Sequence, residues 1–218
     1  MKNIAVIAVH PDDETLGAGG TLLKHISEGH KVHWIIITRA YADQGYSQEL
    51  IERRDREIQK VSEAFGFHSV TRLDFRTAEL DKYSKSEIVK ALNDVLNKIK
   101  PEVIYSPYQK DIHTDHQIIS DAVKSATKSF RASYVKRLLE MEVISETDFA
   151  SEIFIPNVYV DITHFIEKKL EIMSLFEGET GPLPFSRALE RIRGQALFRG
   201  SVAGVNYAEC FRLIKEIS

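Results

Sequence analysis

At 218 residues the chain is long enough to bury one substantial core and does not require a second. With 28% charged and 43% hydrophobic residues it has the composition of an ordinary globular protein, and a net charge of −3 without a long basic run argues against a nucleic-acid partner. A lone cysteine, Cys210, excludes an intrachain disulfide, and the short, charge-interrupted apolar start excludes a signal peptide or membrane span there, so a cytoplasmic protein is expected.

Residues 3–9, NIAVIAV, are rich in Val, Ile and Ala between polar neighbours, which predicts a strand buried on both faces. The run ends in His10-Pro11-Asp12-Asp13-Glu14. Residues 15–28 then carry Leu16, Leu22, Leu23 and Ile26 at roughly helical spacing, with Gly29 placed to end the helix. Gly17-Ala18-Gly19-Gly20 within it lacks the dinucleotide-binding spacing, since Leu22 and Leu23 stand where a third glycine would fall, so close packing of the helix is expected. Residues 32–38, VHWIIIT, predict a second buried strand, and the polar segment 39–46 should overhang the same crevice as the first motif. Ser47 opens a long charged helix ended by Gly66. A short strand over 70–74 follows, and then a helix over 84–99 stopped by Pro101.

The fourth strand, 103–106, leads through Pro107 into His113-Thr114-Asp115-His116, with a helix expected over 118–130. Beyond Arg131 the pattern loosens: strands are expected over 136–144 and 158–162, and helices over 165–176, 185–198 and 208–217. The breaker-rich stretch from Gly178 to Pro184 reads as a loop able to cover a site. Four strands alternating with helices predict an α/β fold on a mostly parallel sheet flanked by helices, with residues 1–218 forming a single domain.

The two polar knots carry the chemistry. Zinc-type ions take imidazole nitrogen and carboxylate oxygen, and a catalytic site combines three protein ligands with an open position for water. His10 and Asp13 are close enough across a turn stiffened by Pro11 to chelate one ion, with His116 or His113 as the third ligand. Asp12 points elsewhere and is free to take a proton from water made acidic by the metal, the arrangement of a hydrolase. His113, oriented by Asp115 or Asp111, could be cationic and steady a developing oxyanion. The other histidines, His25, His30, His33, His68 and His164, lie on or near element ends or within a strand and read as solvated or structural.

HPDDE after the first strand with HTDH after a later one resembles the PIG-L/LmbE-like family of zinc-dependent N-deacetylases, which includes N-acetylglucosaminyl-phosphatidylinositol deacetylase and the deacetylases of mycothiol and bacillithiol synthesis. Arg54-x-x-Glu57 followed by Phe65-Gly66, and Arg199-Gly200-Ser201 followed by Gly204 and Tyr207-Ala208-Glu209, extend the similarity along the chain. The resemblance implies a Rossmann-like fold, with His10, Asp13 and His116 holding Zn2+, or another divalent metal such as Fe2+. It implies Asp12 as general base, His113 as the residue stabilising the tetrahedral intermediate with Asp115 supporting it, and Arg54 as a substrate contact. It further implies an N-acetylated amino sugar or its conjugate as substrate, and oligomers. The chain departs from the family at Thr38-Arg39-Ala40-Tyr41, where Ala40 replaces a common glycine; Arg39 and Tyr41 are expected to shape the substrate pocket. Two rival readings share the donor set: a non-haem Fe(II) oxygenase, and a sugar-binding module without turnover.

Overall fold

The computed structural model describes residues 1–217. The elements in chain order are β1 (Asn3–Ala8), α1 (Asp13–Ser27), β2 (Lys31–Arg39), α2 (Gln48–Phe65), β3 (Ser69–Arg76), α3 (Lys85–Ile99), β4 (Val103–Pro107), α4 (Thr114–Ala126), β5 (Arg137–Met141), β6 (Val158–Asp161), α5 (Ile166–Met173), α6 (Leu189–Ala203) and β7 (Ala208–Glu216). They form an α/β fold on one mixed sheet in the order β3-β2-β1-β4-β5-β7-β6. The first five strands run parallel, and β7 is antiparallel to both of its neighbours.

Strand β1 is central because both of its faces are apolar. Ile4, Val6 and Ala8 join one core layer with Leu16, Leu22, Trp34 and Phe65, while Ala5, Ile7 and Val9 join the other with Ile35, Leu92, Leu96 and Ile119. From β1 the chain winds outward to β2 and β3, then returns across to β4 on the other side. Strand order therefore reverses between β1 and β4, and their carboxyl ends open the crevice in which such sheets hold ligands. Both histidine-bearing motifs leave the sheet at this point.

Helix α1 lies unusually deep, with a buried run from Asp13 to Leu23. Its glycines permit this: a Cβ on Gly20 would come within 2.8 Å of Ile162, and one on Gly17 within 2.9 Å of Met141 Cβ. Close packing is thus their use, as expected. A buried ion pair beside these contacts also holds the helix. Lys169 Nζ donates to Leu16 O at 2.8 Å and to Glu209 Oε1 at 2.7 Å, and Glu209 accepts from the Gly20 and Thr21 amides.

The structure corrects the expected elements in three places. Residues 208–217 form the strand β7 rather than a helix, because AECFRLIKE is hydrogen-bonded between β5 and β6 and buries its first four residues; a short apolar run fits either period until its neighbours are known. Helix α6 begins at Leu189, after the loop with Pro182 and Pro184 has ended, instead of at 185. Helix α4 starts four residues earlier than expected, capped by the His113 side chain, whose Nδ1 accepts from Asp115 N. Among the described residues, no helix is long and apolar enough to cross a membrane.

Candidate active site

The first motif is a tight turn. Asp13 N donates to His10 O at 3.3 Å, with Pro11 and Asp12 as the central pair. Asp12 adopts φ 137° and ψ −27°, a conformation that costs a residue with a side chain on the order of 1–3 kcal/mol. The turn leaves Asp12 lining the cleft and Asp13 facing His116. Asp13, the first residue of α1, is also fixed through Oδ2, which accepts the His10 amide at 2.9 Å.

The second motif comes alongside. Ring centroids of His10 and His116 are 5.4 Å apart, those of His10 and His113 4.6 Å, and those of His113 and His116 5.3 Å. His116 Nε2 lies 3.3 Å and His10 Nδ1 3.8 Å from Asp13 Oδ2, so His10, Asp13 and His116 converge on one point. Behind each imidazole stands a carboxylate: Asp111 Oδ2 at 2.8 Å from His116 Nδ1, and Asp115 Oδ2 at 3.6 Å from His10 Nε2. This is the arrangement that orients histidines for a cation. His116 Nε2 and Asp13 Oδ1 are buried and have no hydrogen-bond partner, a costly state that a bound divalent ion removes. The residues therefore fit a metal.

Charge supports the fit. Burial alone would raise Asp13, yet His116 and His10 hold its carboxyl well below the usual carboxylate range. Burial alone would lower His116, yet Asp13 and Asp111 push it up to about 10. Two carboxylates around one imidazole create a demand for positive charge that either a proton or a metal ion can meet.

Asp12 faces the cleft beside this centre. Burial is the main cause that raises it to about 7, against the opposing pull of Arg187. Arg187 donates from Nη1 to Asp12 Oδ2 at 2.7 Å and to Glu179 Oε2 at 3.0 Å, and from Nη2 to Glu146 Oε1 at 3.0 Å. His113 is held down at about 4 by burial and by the neighbouring His10 and His116. Near pH 7 it is neutral, and since Nδ1 accepts the Asp115 amide its proton sits on Nε2. His113 thus offers a neutral N–H donor from Nε2, where the sequence also allowed a cation.

Two other expectations change in their details. The Asp115 carboxylate makes no hydrogen bond to His113: it accepts from the Ala78 amide at 2.7 Å and the Leu80 amide at 3.3 Å and lies between His10 and His113, while its backbone N–H donates to the His113 ring. Asp111 likewise orients His116, not His113.

The cleft over these groups encloses about 390 Å³. Arg54 and Arg39 line it, Arg54 paired with Glu57 and Glu179, and Arg39 with Asp55 at 3.0 Å. Tyr41 does not line it. Its hydroxyl donates to Asp74 O at 2.7 Å and the Arg76 guanidinium lies 5.2 Å from its ring centre, so the residue is spent on the loop itself. Tyr46 from the same loop lines the cleft instead. Sequence reasoning missed Arg187, Glu146 and Glu179. For Glu179 and Arg187 the only signal was the breaker-rich loop that contains the one and precedes the other; Glu146 had none, since no fixed spacing joins it to the two motifs.

Known proteins resemble the chain along most or all of its length. Residues 5–127 match the family model PIG-L, described as GlcNAc-PI de-N-acetylase. Over 231 aligned positions, covering 100% of this chain and 85% of the relative, the chain is 29% identical to a diacetylchitobiose deacetylase of Thermococcus kodakarensis. The N,N'-diacetylchitobiose deacetylase of Pyrococcus horikoshii superposes with a TM-score of 0.79 at 25% identity, covering 98% of this chain and 84% of that one. The 4-carboxy-2-hydroxymuconate hydratase GalB of Pseudomonas putida shares the fold, with a TM-score of 0.81 at 20% identity over 100% of this chain and 98% of that one.

Proposed function

The chain belongs to the PIG-L family, and from that premise we propose that it is a metal-dependent amide hydrolase, acting as one domain, that removes the N-acetyl group from an amino sugar or amino-sugar conjugate. The similarity to diacetylchitobiose deacetylases supports the sugar. The observation that carries the reading is the placing of Asp12, a buried carboxylate raised to about 7, beside the convergent donors of His10, Asp13 and His116.

His10, Asp13 and His116 would hold the ion, and zinc suits two imidazoles and a carboxylate. When bound, the metal supplies Lewis acidity: it polarises the amide carbonyl and makes water acidic enough to lose a proton near neutral pH. Asp12 accepts that proton. Arg187 engages Oδ2 and thereby leaves Oδ1 for the transfer. His113 Nε2–H donates to the carbonyl oxygen as negative charge builds there, a stabilisation that the N–H gives while keeping its proton. Asp12 then returns its proton to the departing nitrogen, so one water and one amide become acetate and a free amine. Arg54 and Arg39 border the space left for the sugar and its aglycone.

The test is Asp12→Asn, which keeps the ligand set and removes the base. Acetate release from N-acetylglucosamine and N,N'-diacetylchitobiose, followed by mass spectrometry, should fall by about 10²–10⁴-fold while metal content stays unchanged. Undiminished acetate release would remove Asp12 from the base role. A hydratase would add water without releasing acetate, so the same assay separates the two activities found on this fold.

A further inference from the structure

Helix α1 carries candidate metal ligands at its amino end, and a second convergence lies at its carboxyl end. His25, Glu28 and His30 each offer a donor atom there, all within 4.8 Å of one another. We propose that this cluster is a second divalent-cation site, for a zinc-type ion, on the far side of the sheet edge from the cleft.

The backbone sets the spacing in advance. Gly29 takes φ 78°, its amide donates to Ile26 O at 2.9 Å, and the His30 amide donates to His25 O at 3.0 Å. This is the paired hydrogen-bond pattern of a Schellman turn, which requires the left-handed residue that glycine supplies. The second of these bonds ties the backbones of the two imidazole-bearing residues directly together.

The side chains present the right atoms. His25 Nε2 lies 2.9 Å from the Tyr105 hydroxyl. With Nε2–H donating to that oxygen, the lone pair sits on Nδ1, and Nδ1 is buried with no hydrogen-bond partner. Tyr105, on β4, holds the ring from behind, as an outer partner does for a metal-binding histidine, and because its hydroxyl can accept as well as donate it allows the tautomer that leaves Nδ1 free for an ion. His30 Nε2 lies 3.7 Å from Glu28 Oε2. His30 Nδ1 accepts the Lys2 amide at 3.4 Å, which leaves Nε2, on the side of Glu28, as the ligand atom. Two imidazoles and one carboxylate select a borderline transition ion over Ca2+ or Mg2+, which prefer oxygen alone. A bound ion would brace the α1–β2 turn and with it the helix whose first residue is the cleft ligand Asp13.

Titration of the purified chain with Zn2+ against a chromophoric chelator, with metal content measured after gel filtration, should give two equivalents. Asp13→Ala should retain one, His30→Ala should retain one, and the combined variant none. Glu28→Gln, a shape-preserving change at an exposed position, should weaken the same equivalent that His30→Ala removes. Zn2+ should raise the melting temperature of Asp13→Ala and leave that of the combined variant unmoved. Because the two equivalents are removed separately, failure of the cleft reading and failure of this one give different patterns. A single equivalent that Asp13→Ala abolishes, or two equivalents that survive His30→Ala, would overturn the proposal.

Discussion

The chain up to Ala126 and the chain after it contribute different things to one cleft. The earlier part supplies every donor of the candidate metal centre, from the carboxyl ends of two parallel strands that are neighbours in the sheet. The later part supplies none of them. It clamps α1 through Lys169 and Glu209, and it closes the cleft with Glu146, Glu179 and Arg187. The family model matches residues 5–127, the donor-bearing part. A site of this kind separates into a centre built from short local motifs and a wall built from long-range contacts, and the two should respond differently to substitution.

The largest effect should come from the clamp. Lys169 and Glu209 are both buried, and removing the cation leaves Glu209 charged within the core. Lys169→Met should cost about 3–5 kcal/mol of folding stability, measured by urea unfolding. If α1 needs the clamp to hold Asp13 in place, metal affinity should fall together with stability. A stable Lys169→Met protein with unchanged metal binding would show that the earlier part of the chain seats α1 unaided.

Next in size is Arg187, whose contact with Asp12 joins the wall to the centre. Hydrogen bonds to charged partners contribute about 1.5–3 kcal/mol, so Arg187→Ala should lower kcat by about 10–100-fold. KM should move less, and Arg187→Lys should recover part of the loss, since a positioning role needs the charge more than the fork. A change confined to KM would assign Arg187 to substrate binding instead. On the centre itself, Asp111→Asn should weaken metal affinity by about 10–100-fold in a chelator competition while leaving the wall intact.

The same division explains what could be read before the structure was known. The centre was legible because buried strands end abruptly in ligand-type residues, a signal contained within a few positions: Val9 to Asp13, and Pro107 to His116. The wall was not, because Arg187 and Asp12 stand 175 positions apart and nothing in either segment announces the other. Strand β7 was missed for a related reason. Its identity depends on pairing with β5 and β6, from two different parts of the chain, whereas its local pattern also suits a helix. Asp115 shows a finer limit. Its closeness to His113 in sequence suggested a side-chain contact, but a helix N-terminus turns its amide to the ring and its carboxylate to the Ala78 and Leu80 amides.

Within the loop after β2 the smallest effect is expected, and it tests whether proximity to the crevice is enough to make a residue part of the wall. Tyr41 and Tyr46 sit five positions apart in that loop. Tyr46 lines the cleft, whereas Tyr41 gives its hydroxyl to Asp74 O and its ring to Arg76. Tyr41→Phe removes a single neutral hydrogen bond at an exposed position, so it should cost at most about 1 kcal/mol of stability and leave kcat/KM within about twofold. Tyr46→Ala should raise KM by more than that, because it opens the cleft where the substrate would rest. Equal effects of the two on KM would mean that the loop moves as a unit when substrate binds, and that Tyr41 reaches the cleft by a rearrangement of its bond to Asp74.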